Sequence, residues 1–198
     1  MILARQSIYH SHHLIISLLH DDFTMTTLEP GQQTKITKPT ARFMLGHPAH
    51  LLAQGFGSGL SPIMPGTSGT LFAWLSFYVL SLRWPEIFTP MNWAWIIAIG
   101  FIIGVWACAV TGKNMGVADH GSMVWDEIIA FWLVLLLVTP SDFKTQCWAF
   151  VWFRFFDMVK PPPIGYFDRR FKGGFGVMFD DIVAAFFTLL VFALWQHF

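Results

Sequence analysis

Charged side chains are scarce in this chain of 198 residues, which carries 12 basic and 12 acidic residues. They make up 12% of the sequence, about half of the fraction that is typical of soluble domains. Hydrophobic residues make up 55%, and the mean hydropathy is +0.54. Too few polar groups are present to cover a soluble surface, so the composition excludes an ordinary soluble domain and predicts an integral membrane protein.

Two further shortages exclude other classes of protein. The chain has no surplus of basic over acidic residues, so nothing in its charge balance indicates a nucleic-acid partner. Its two cysteines, Cys108 and Cys147, lie inside apolar runs, which argues against a disulfide framework and favours buried, inert thiols. The bulky apolar residues between Cys147 and Arg154 also exclude the phosphate-binding loop of a cysteine-dependent phosphatase.

Long uncharged segments divide the chain into a polar leader and an apolar domain. Residues 1–42 are polar and mixed in character, and they are predicted to form a disordered or poorly ordered leader. The apolar runs in residues 43–198 predict an all-α, multi-pass membrane bundle of four or five helices, since a bilayer span needs roughly 20 residues. We place the spans near residues 69–82, 93–111, 128–140, 145–156 and 182–197.

The distribution of basic residues gives these spans an orientation. Lysines and arginines concentrate before the first span and between residues 154 and 172. Because cytoplasmic loops of membrane proteins carry an excess of these residues, both segments are predicted to be cytoplasmic. The loops at 112–127 and 157–181 then lie at the same membrane face as the N-terminus.

Two acidic pairs precede apolar runs in nearly matching contexts. Asp126 and Glu127 stand in WDEIIAF, and Asp180 and Asp181 stand in FDDIVAA. One interpretation is that the acids begin two helices, at the positive end of each helix dipole. The other is a divalent-cation site, since Mg²⁺ prefers carboxylate oxygens and relieves repulsion between clustered acids. Two matching pairs favour the metal site, and either acid of a pair is a possible direct ligand.

Basic residues near the second pair favour a phosphate-binding function. Arg154 and Lys160 lie on one predicted helix with Asp157, and these two cations beside a bound metal would suit a phosphate ester. Arg154 and Asp157, three positions apart, also have the spacing of a plain salt bridge. Prolines 161–163 are expected to end this helix. Arg169 belongs to a basic cluster with two alternative partners, a substrate phosphate or, as the favoured one, anionic lipid headgroups.

A segment rich in glycine and hydroxyl residues, GFGSGLSPIMPGTSGT at 55–70, leads into the first span. It lacks the Gly-Lys-Ser/Thr sequence of a nucleotide-binding P-loop. Its N–H and O–H groups are nevertheless suited to binding an anion, and a re-entrant turn is the equal alternative. The candidate substrate-binding residues of this predicted loop are Ser58, Thr67, Ser68 and Thr70.

From Phe43 to the C-terminus the chain resembles the bacterial phosphatidylglycerophosphatase A family. Three long stretches carry the resemblance: HLLAQGFGSGLSPIMPGTSGTL, MGVADHGSMVWDEIIAF and FRFFDMVKPPPIGYFDRRFKGGFGVMFDDIVAA. Phe131 and Ala185 depart from the family pattern, which leads us to expect glycine just after the acids. This departure concerns helix packing rather than the chemistry.

The resemblance implies a Mg²⁺-dependent phosphatase of the bacterial inner membrane, with its active site on the cytoplasmic side. The implied reaction removes the terminal phosphate of phosphatidylglycerophosphate, a lipid of the bilayer, to give phosphatidylglycerol. As a hypothesis, Arg154 and Lys160 stabilise the phosphoryl group while an activated water attacks it, with Asp157 as covalent nucleophile the open alternative. The oligomeric state stays open. The implied metal ligands are Asp126, Glu127, Asp180 and Asp181, with Glu127 and Asp180 foremost.

Two other functions compete with this interpretation. A transporter or channel also carries membrane acids, but it predicts charges near the middle of spans, whereas here they lie at the ends of apolar runs. Acids more than about 10 Å apart, or acids that face opposite sides of the membrane, would favour it. A phosphotransferase that forms phospholipids also uses clustered aspartates, but the aspartate and glycine spacing of that class is absent here.

Overall fold

The computed structural model of the protein describes residues 37–162 and 173–195. Within these ranges the chain forms α-helices and one 3₁₀ helix and contains no β-strand, which confirms the all-α prediction for them. The elements are α1 (Ala41–Leu45), α2 (Pro48–Ala53), the 3₁₀ helix (Gly55–Leu60), α3 (Pro65–Arg83), α4 (Pro90–Met115), α5 (Trp125–Val138), α6 (Phe143–Val159) and α7 (Gly173–Trp195).

Two of the described helices, α4 and α7, are long and apolar enough to cross a membrane, with 26 and 23 residues. Large apolar side chains such as Trp95, Ile102 and Trp106 are exposed on α4, as expected of a surface that faces lipid. In contrast, α5 and α6, with 14 and 17 residues, are shorter than the roughly 20 residues of a simple span. The two long helices indicate membrane association, and the expectation of four or five crossings stays a prediction.

The central helix of the bundle is α5, which contacts α3, α4, α6 and α7. After its first turn it is apolar on every face, which is the pattern of a helix enclosed by others. Every residue from Trp125 to Leu135 except Leu133 is buried. The acids at the start of α5 are therefore held inside the bundle and not on a surface that faces lipid.

Buried tryptophans attach α5 to its neighbours through their indole N–H groups. Trp125 donates to the Gly100 carbonyl of α4 at 2.9 Å, and Trp132 donates to the Ala73 carbonyl of α3, also at 2.9 Å. The Trp132 ring packs against Trp93 of α4, with 5.2 Å between ring centroids. These bonds fix the position of α5 relative to α3 and α4 and leave no indole N–H of this pair unsatisfied.

Replacing Trp132 with phenylalanine is expected to lower the free energy of unfolding by about 1 kcal/mol, because the indole hydrogen bond is lost while most ring contacts remain. The measurement is reversible denaturation of the purified protein in detergent micelles. Trp148→Phe is the control, since the Trp148 side chain is 54% exposed, and its stability should equal that of wild type. An equal loss in both variants would contradict the role of the hydrogen bond.

The end of the predicted leader is helical, whereas its residues 1–36 lie outside the described residues. Thr40 caps α1 by accepting a hydrogen bond from the Phe43 N–H at 3.1 Å. In α2, the His50 ring is buried and bonds to Thr111 and Asn114 of α4. Burial lowers the pKa of His50, which favours the neutral ring in this position. The first helix of the described residues, α1, therefore begins inside the predicted leader.

The segment at 55–70 is helical at both ends, so its prediction as a loop is wrong for most of its length. The first residue of α3 is Pro65, because proline has no N–H to lose at the start of a helix and its φ suits the first turn. Gly55 has a φ of +54°, and a side chain there would lie 2.7 Å from Ile128 and 2.8 Å from Val124. The 3₁₀ helix thus packs directly against the start of α5, beside the first acidic pair.

Candidate active site

The first acidic pair lies in the first turn of α5, as predicted for the start of a helix. Asp126 and Glu127 follow Trp125 directly, and the N-cap residue Val124 provides no side-chain cap. Carboxylates at this end of a helix are stabilised by the partial positive charge of its unpaired N–H groups. Both side chains are nearly inaccessible, because the residues are only 7% and 9% exposed.

The second acidic pair does not begin its helix, so the interpretation of the acids as helix starts, the less favoured of the two, is wrong for Asp180 and Asp181. Their helix, α7, starts at Gly173, about two turns earlier. Gly174 allows this early start, because a Cβ at this position would overlap the Val105 carbonyl of α4. Helix capping therefore does not account for this pair, and both residues are buried.

Asp126, Glu127 and Asp181 form one carboxylate cluster. One side-chain oxygen of each lies within 4.8 Å of the corresponding oxygens of the other two. Each of the three also has a buried oxygen without a hydrogen-bond partner among the described residues. Ionised carboxylates at such distances repel one another, and unpaired polar atoms are costly inside an apolar bundle. A positive ligand would lower both costs.

This set of donors fits a divalent cation such as Mg²⁺. Hard cations take oxygen ligands, and Mg²⁺ commonly uses a few carboxylates together with water and phosphate oxygens. Within the described ranges the cluster contains no histidine or cysteine, which zinc would favour. The buried, unpartnered oxygens of the cluster are the observation that supports the fit.

Asp180 lies beside the cluster and forms an ion pair with Lys160. Lys160 is the C-cap of α6 in the left-handed conformation, directly before Pro161, so this helix ends as predicted. Neighbouring residues of a helix point about 100° apart. Asp180 can therefore pair with Lys160 while Asp181 belongs to the cluster. The hypothesis named Glu127 and Asp180 as the foremost ligands, whereas the structure groups Glu127 with Asp181.

Arg154 connects three helices at the cluster. Its Nη1 lies 2.7 Å from Asp157 Oδ2, which confirms the predicted ion pair within α6. The same nitrogen lies 3.8 Å from Glu127 Oε1 of α5 and donates to the Thr70 hydroxyl of α3 at 3.4 Å. Its Nε is buried and has no partner within the described part of the chain, so the guanidinium retains a donor for an anion.

Carboxylates outnumber basic groups in the described site by five to two. With all seven groups ionised, a bound divalent cation would reduce their net charge from −3 to −1 and so weaken the repulsion of a phosphate ester. The five acids are the three of the cluster with Asp157 and Asp180, and the two basic residues are Arg154 and Lys160.

The first turn of α3 lies directly against the cluster, a contact that the sequence did not predict. A Cβ added to Gly66 would overlap Glu127 Oε1 and lie 3.1 and 3.2 Å from the terminal nitrogens of Arg154. The N-cap residue Met64 provides no side-chain cap, so the partial positive charge of the helix start is available to the site. The signal in the sequence is Pro65, a frequent first residue of helices, followed at once by glycine.

Two of the predicted substrate-binding residues serve the fold. Thr70 is fully buried, and its hydroxyl donates to the Gly66 carbonyl and accepts from Arg154, so it positions the arginine. Ser58 donates to the Gly55 carbonyl at 2.8 Å inside the 3₁₀ helix. Both hydroxyl groups therefore form their hydrogen bonds within the chain.

The other predicted substrate-binding residues are placed differently. Thr67 and Ser68 lie in the first turn of α3 and are partly buried. The Thr67 hydroxyl oxygen is buried and has no hydrogen-bond partner in the described ranges, which leaves it available for a ligand at the helix start. Arg169 lies outside the described residues.

The model of the family described as phosphatidylglycerophosphatase A matches residues 51–196, a range that includes every described residue of this site. The chain belongs to the phosphatidylglycerophosphatase A family. Membership of the phosphatidylglycerophosphatase A family makes the protein a phosphatase. The alternative of a transporter predicted acids more than about 10 Å apart. The clustered oxygens lie within 4.8 Å of one another instead.

Named relatives agree with the phosphatidylglycerophosphatase A model. Phosphatidylglycerophosphatase A of Escherichia coli (strain K12) is 47% identical over 145 residues, which are 73% of this chain and 81% of that protein. The protein of the same name in Haemophilus influenzae is 42% identical over 154 residues, which are 77% and 91%. A relative in Bacteroides thetaiotaomicron, provisionally named as a phosphatidylinositol-3-phosphatase, is 36% identical over 148 residues, which are 73% and 91%. No solved structure matches the chain significantly.

Proposed function

We propose that this protein hydrolyses the terminal phosphate monoester of phosphatidylglycerophosphate to phosphatidylglycerol and inorganic phosphate, with Mg²⁺ as its cofactor. The observation that carries the proposal is the buried cluster of Asp126, Glu127 and Asp181 beside Arg154, in a chain of this family. The names of the relatives in Escherichia coli and Haemophilus influenzae support the lipid substrate.

The residues that would hold Mg²⁺ are Asp126, Glu127 and Asp181, with Asp180 beside them in its ion pair with Lys160. When bound, Mg²⁺ would supply neutralisation of the phosphate charge and polarisation of the phosphoryl group. The three carboxylates stand on α5 and α7, two packed helices, so they are held in place before the substrate arrives. Such preorganisation avoids a reorganisation cost during the reaction.

Positive groups of the chain itself would stabilise the phosphate. Asp157 and Thr70 hold the Arg154 side chain in one orientation, and its Nε, which has no partner among the described residues, is a donor for a phosphoryl oxygen. The start of α3 at Gly66 adds backbone N–H groups and the positive end of a helix dipole. Lys160 forms an ion pair with Asp180 of α7 and so provides a second cation at the same end of the bundle.

Hydrolysis needs a water molecule and a proton acceptor. In the proposed reaction the water oxygen bonds to phosphorus, the bond between phosphorus and the glycerol oxygen breaks, and the leaving oxygen takes up a proton. A carboxylate of the cluster is a suitable base for the attacking water. Asp157 is engaged with Arg154 at 2.7 Å, which favours a positioning role for it over a covalent intermediate.

We place this reaction at the cytoplasmic face of a bacterial inner membrane. The long apolar helices α4 and α7 support membrane association, and the relatives are bacterial proteins. The excess of lysine and arginine around the loop at 157–181 supports the cytoplasmic orientation. A site at a membrane face would accept the phosphate while the acyl chains of the lipid stay in the bilayer.

The purified protein is expected to release phosphate from phosphatidylglycerophosphate in mixed micelles that contain Mg²⁺. Activity should disappear in EDTA and return with excess Mg²⁺, and a colorimetric phosphate assay measures both. Phosphatidylinositol 3-phosphate is the comparison substrate, chosen because of the name of the Bacteroides relative, and slower release is expected from it. Full activity in EDTA would contradict the metal role, and preference for the phosphoinositide would contradict the substrate.

A further inference from the structure

We propose that a groove along α3 binds one acyl chain of the lipid substrate while its terminal phosphate lies at the carboxylate cluster. The proposal rests on the proposed function, because it assumes that a diacyl lipid phosphate occupies that site. The groove has a volume of about 570 Å³ and lies between α3 and the start of α6. Its lining is mainly apolar, which suits a hydrocarbon chain.

The α3 side of the groove is one continuous face of the helix. Leu71, Trp74, Leu75 and Tyr78 line it, and their spacing of three, four and seven positions places them in one stripe. Leu71, Leu75 and Tyr78 are 48%, 62% and 57% exposed. Apolar side chains that are exposed together in this way mark a surface for an apolar partner.

The position of Trp74 makes the groove a preformed feature. Its ring stacks on Phe143 and Phe150 of α6, with centroid distances of 5.5 and 5.8 Å. The indole N–H donates to Gln146 Oε1 at 2.7 Å, and Phe131 of α5 packs edge-on against the ring at 6.3 Å. These contacts already fix the ring. Binding of an acyl chain would therefore cost little conformational entropy in this wall of the groove.

The groove and the site are connected through α3. Gly66 in the first turn touches Glu127 and Arg154, and Leu71 follows about 8 Å further along the helix axis. The far side of the groove includes Ser141, just beyond the end of α5, a helix that extends about 21 Å from the cluster. The α3 residues of the groove lie about 8 to 18 Å along the helix from Gly66, a range comparable with the roughly 15 Å of half a hydrocarbon core.

A chain of the substrate is the occupant that this geometry favours. The terminal phosphate is joined to the acyl chains through the lipid headgroup, so the chains must leave the cluster toward the apolar part of the bundle. The apolar face that begins at Leu71 lies on the helix whose first turn meets the phosphate site. An unrelated membrane lipid would fill the groove equally well but would create no link between groove residues and turnover.

Leu75→Trp is expected to raise the KM for dipalmitoyl phosphatidylglycerophosphate about tenfold, because the larger ring fills the groove and displaces roughly two methylene groups. The KM for the dihexanoyl substrate should stay at the wild-type value, since its short chains gain little from the groove. Full-length protein is assayed with both substrates in the same detergent micelles. Ile102→Trp is the control, because Ile102 is a 70% exposed aliphatic residue of α4 that does not line the groove, and both KM values should stay unchanged.

The two substrates separate the possible failures. A rise in KM for the dipalmitoyl substrate alone supports the groove, and normal turnover of the dihexanoyl substrate shows that the variant is folded. An equal change for both substrates, or no change for either, would overturn the groove proposal. If the wild-type protein releases no phosphate from either lipid, the proposed function itself fails, and this proposal fails with it.

Discussion

Replacing Asp181 with asparagine is expected to slow phosphate release by about 10³-fold, the effect of removing one preorganised charged group from an active site. The Asp181 carboxylate shares the buried cluster with Asp126 and Glu127, and the three ligand oxygens lie within 4.8 Å of one another. Asparagine preserves the volume of the side chain but removes its charge. The affinity for Mg²⁺ should therefore fall together with the rate, while the fold of α7 is retained.

Calorimetric titration of the detergent-solubilised protein with Mg²⁺ provides a readout that is independent of turnover. Asp142→Asn is the matched control, because Asp142 is the exposed N-cap of α6 and asparagine caps helices equally well. The Thr145 hydroxyl and backbone N–H hold the pKa of Asp142 below its usual range, so the control also removes a negative charge at neutral pH. Wild-type Mg²⁺ binding by Asp181→Asn would contradict the assignment of the cluster.

Gly66→Ala is expected to lower kcat by about 10²-fold, because displacing a catalytic group by about 1 Å has an effect of this size. A methyl group at this position would overlap Glu127 Oε1 and lie 3.1 and 3.2 Å from the terminal nitrogens of Arg154. Since α3 is anchored on α5 by the Trp132 hydrogen bond, the Glu127 and Arg154 side chains have to move instead. The substitution thus disturbs a carboxylate of the cluster and its arginine without removing either.

The Gly66 result is checked by steady-state kinetics alongside Gly121→Ala, a control with the same chemical change. A Cβ at Gly121 meets no atom within 4 Å, so this variant should keep wild-type kcat and KM. Thermal denaturation in detergent tests whether Gly66→Ala remains folded. Normal kcat in a folded Gly66→Ala protein would show that the contact between α3 and the cluster has no catalytic role.

Features that depend on neighbours in the chain were predictable from the sequence. The end of α6 follows from the prolines after Lys160, and the ion pair between Arg154 and Asp157 follows from their spacing on a helix. The position of Asp126 and Glu127 in the first turn of α5 is equally local, because acidic residues favour that turn. Each of these depends on interactions within about one helical turn.

Features that depend on contact between distant segments were not predictable in this way. The early start of α7 relies on Gly174 fitting against the backbone of α4, a contact that adjacent residues do not indicate. The choice of Asp181 over Asp180 as a cluster member depends on how α7 is rotated against α5. Neighbouring helical residues differ by about 100° in direction, so a small rotation would exchange their roles.

The sequence alone determined that this protein is helical and apolar, that its acids occur in two matching pairs, and that its three motifs are those of the phosphatidylglycerophosphatase A family. Hydropathy, residue order and local helix chemistry are sufficient for these conclusions. Only the tertiary structure decided which carboxylates form the cluster. It also decided that Gly66 of α3 lies against the cluster and that Trp74 forms one wall of a groove. These outcomes follow from the packing of α3, α5, α6 and α7 against one another, which places side chains from distant parts of the chain within a few ångströms.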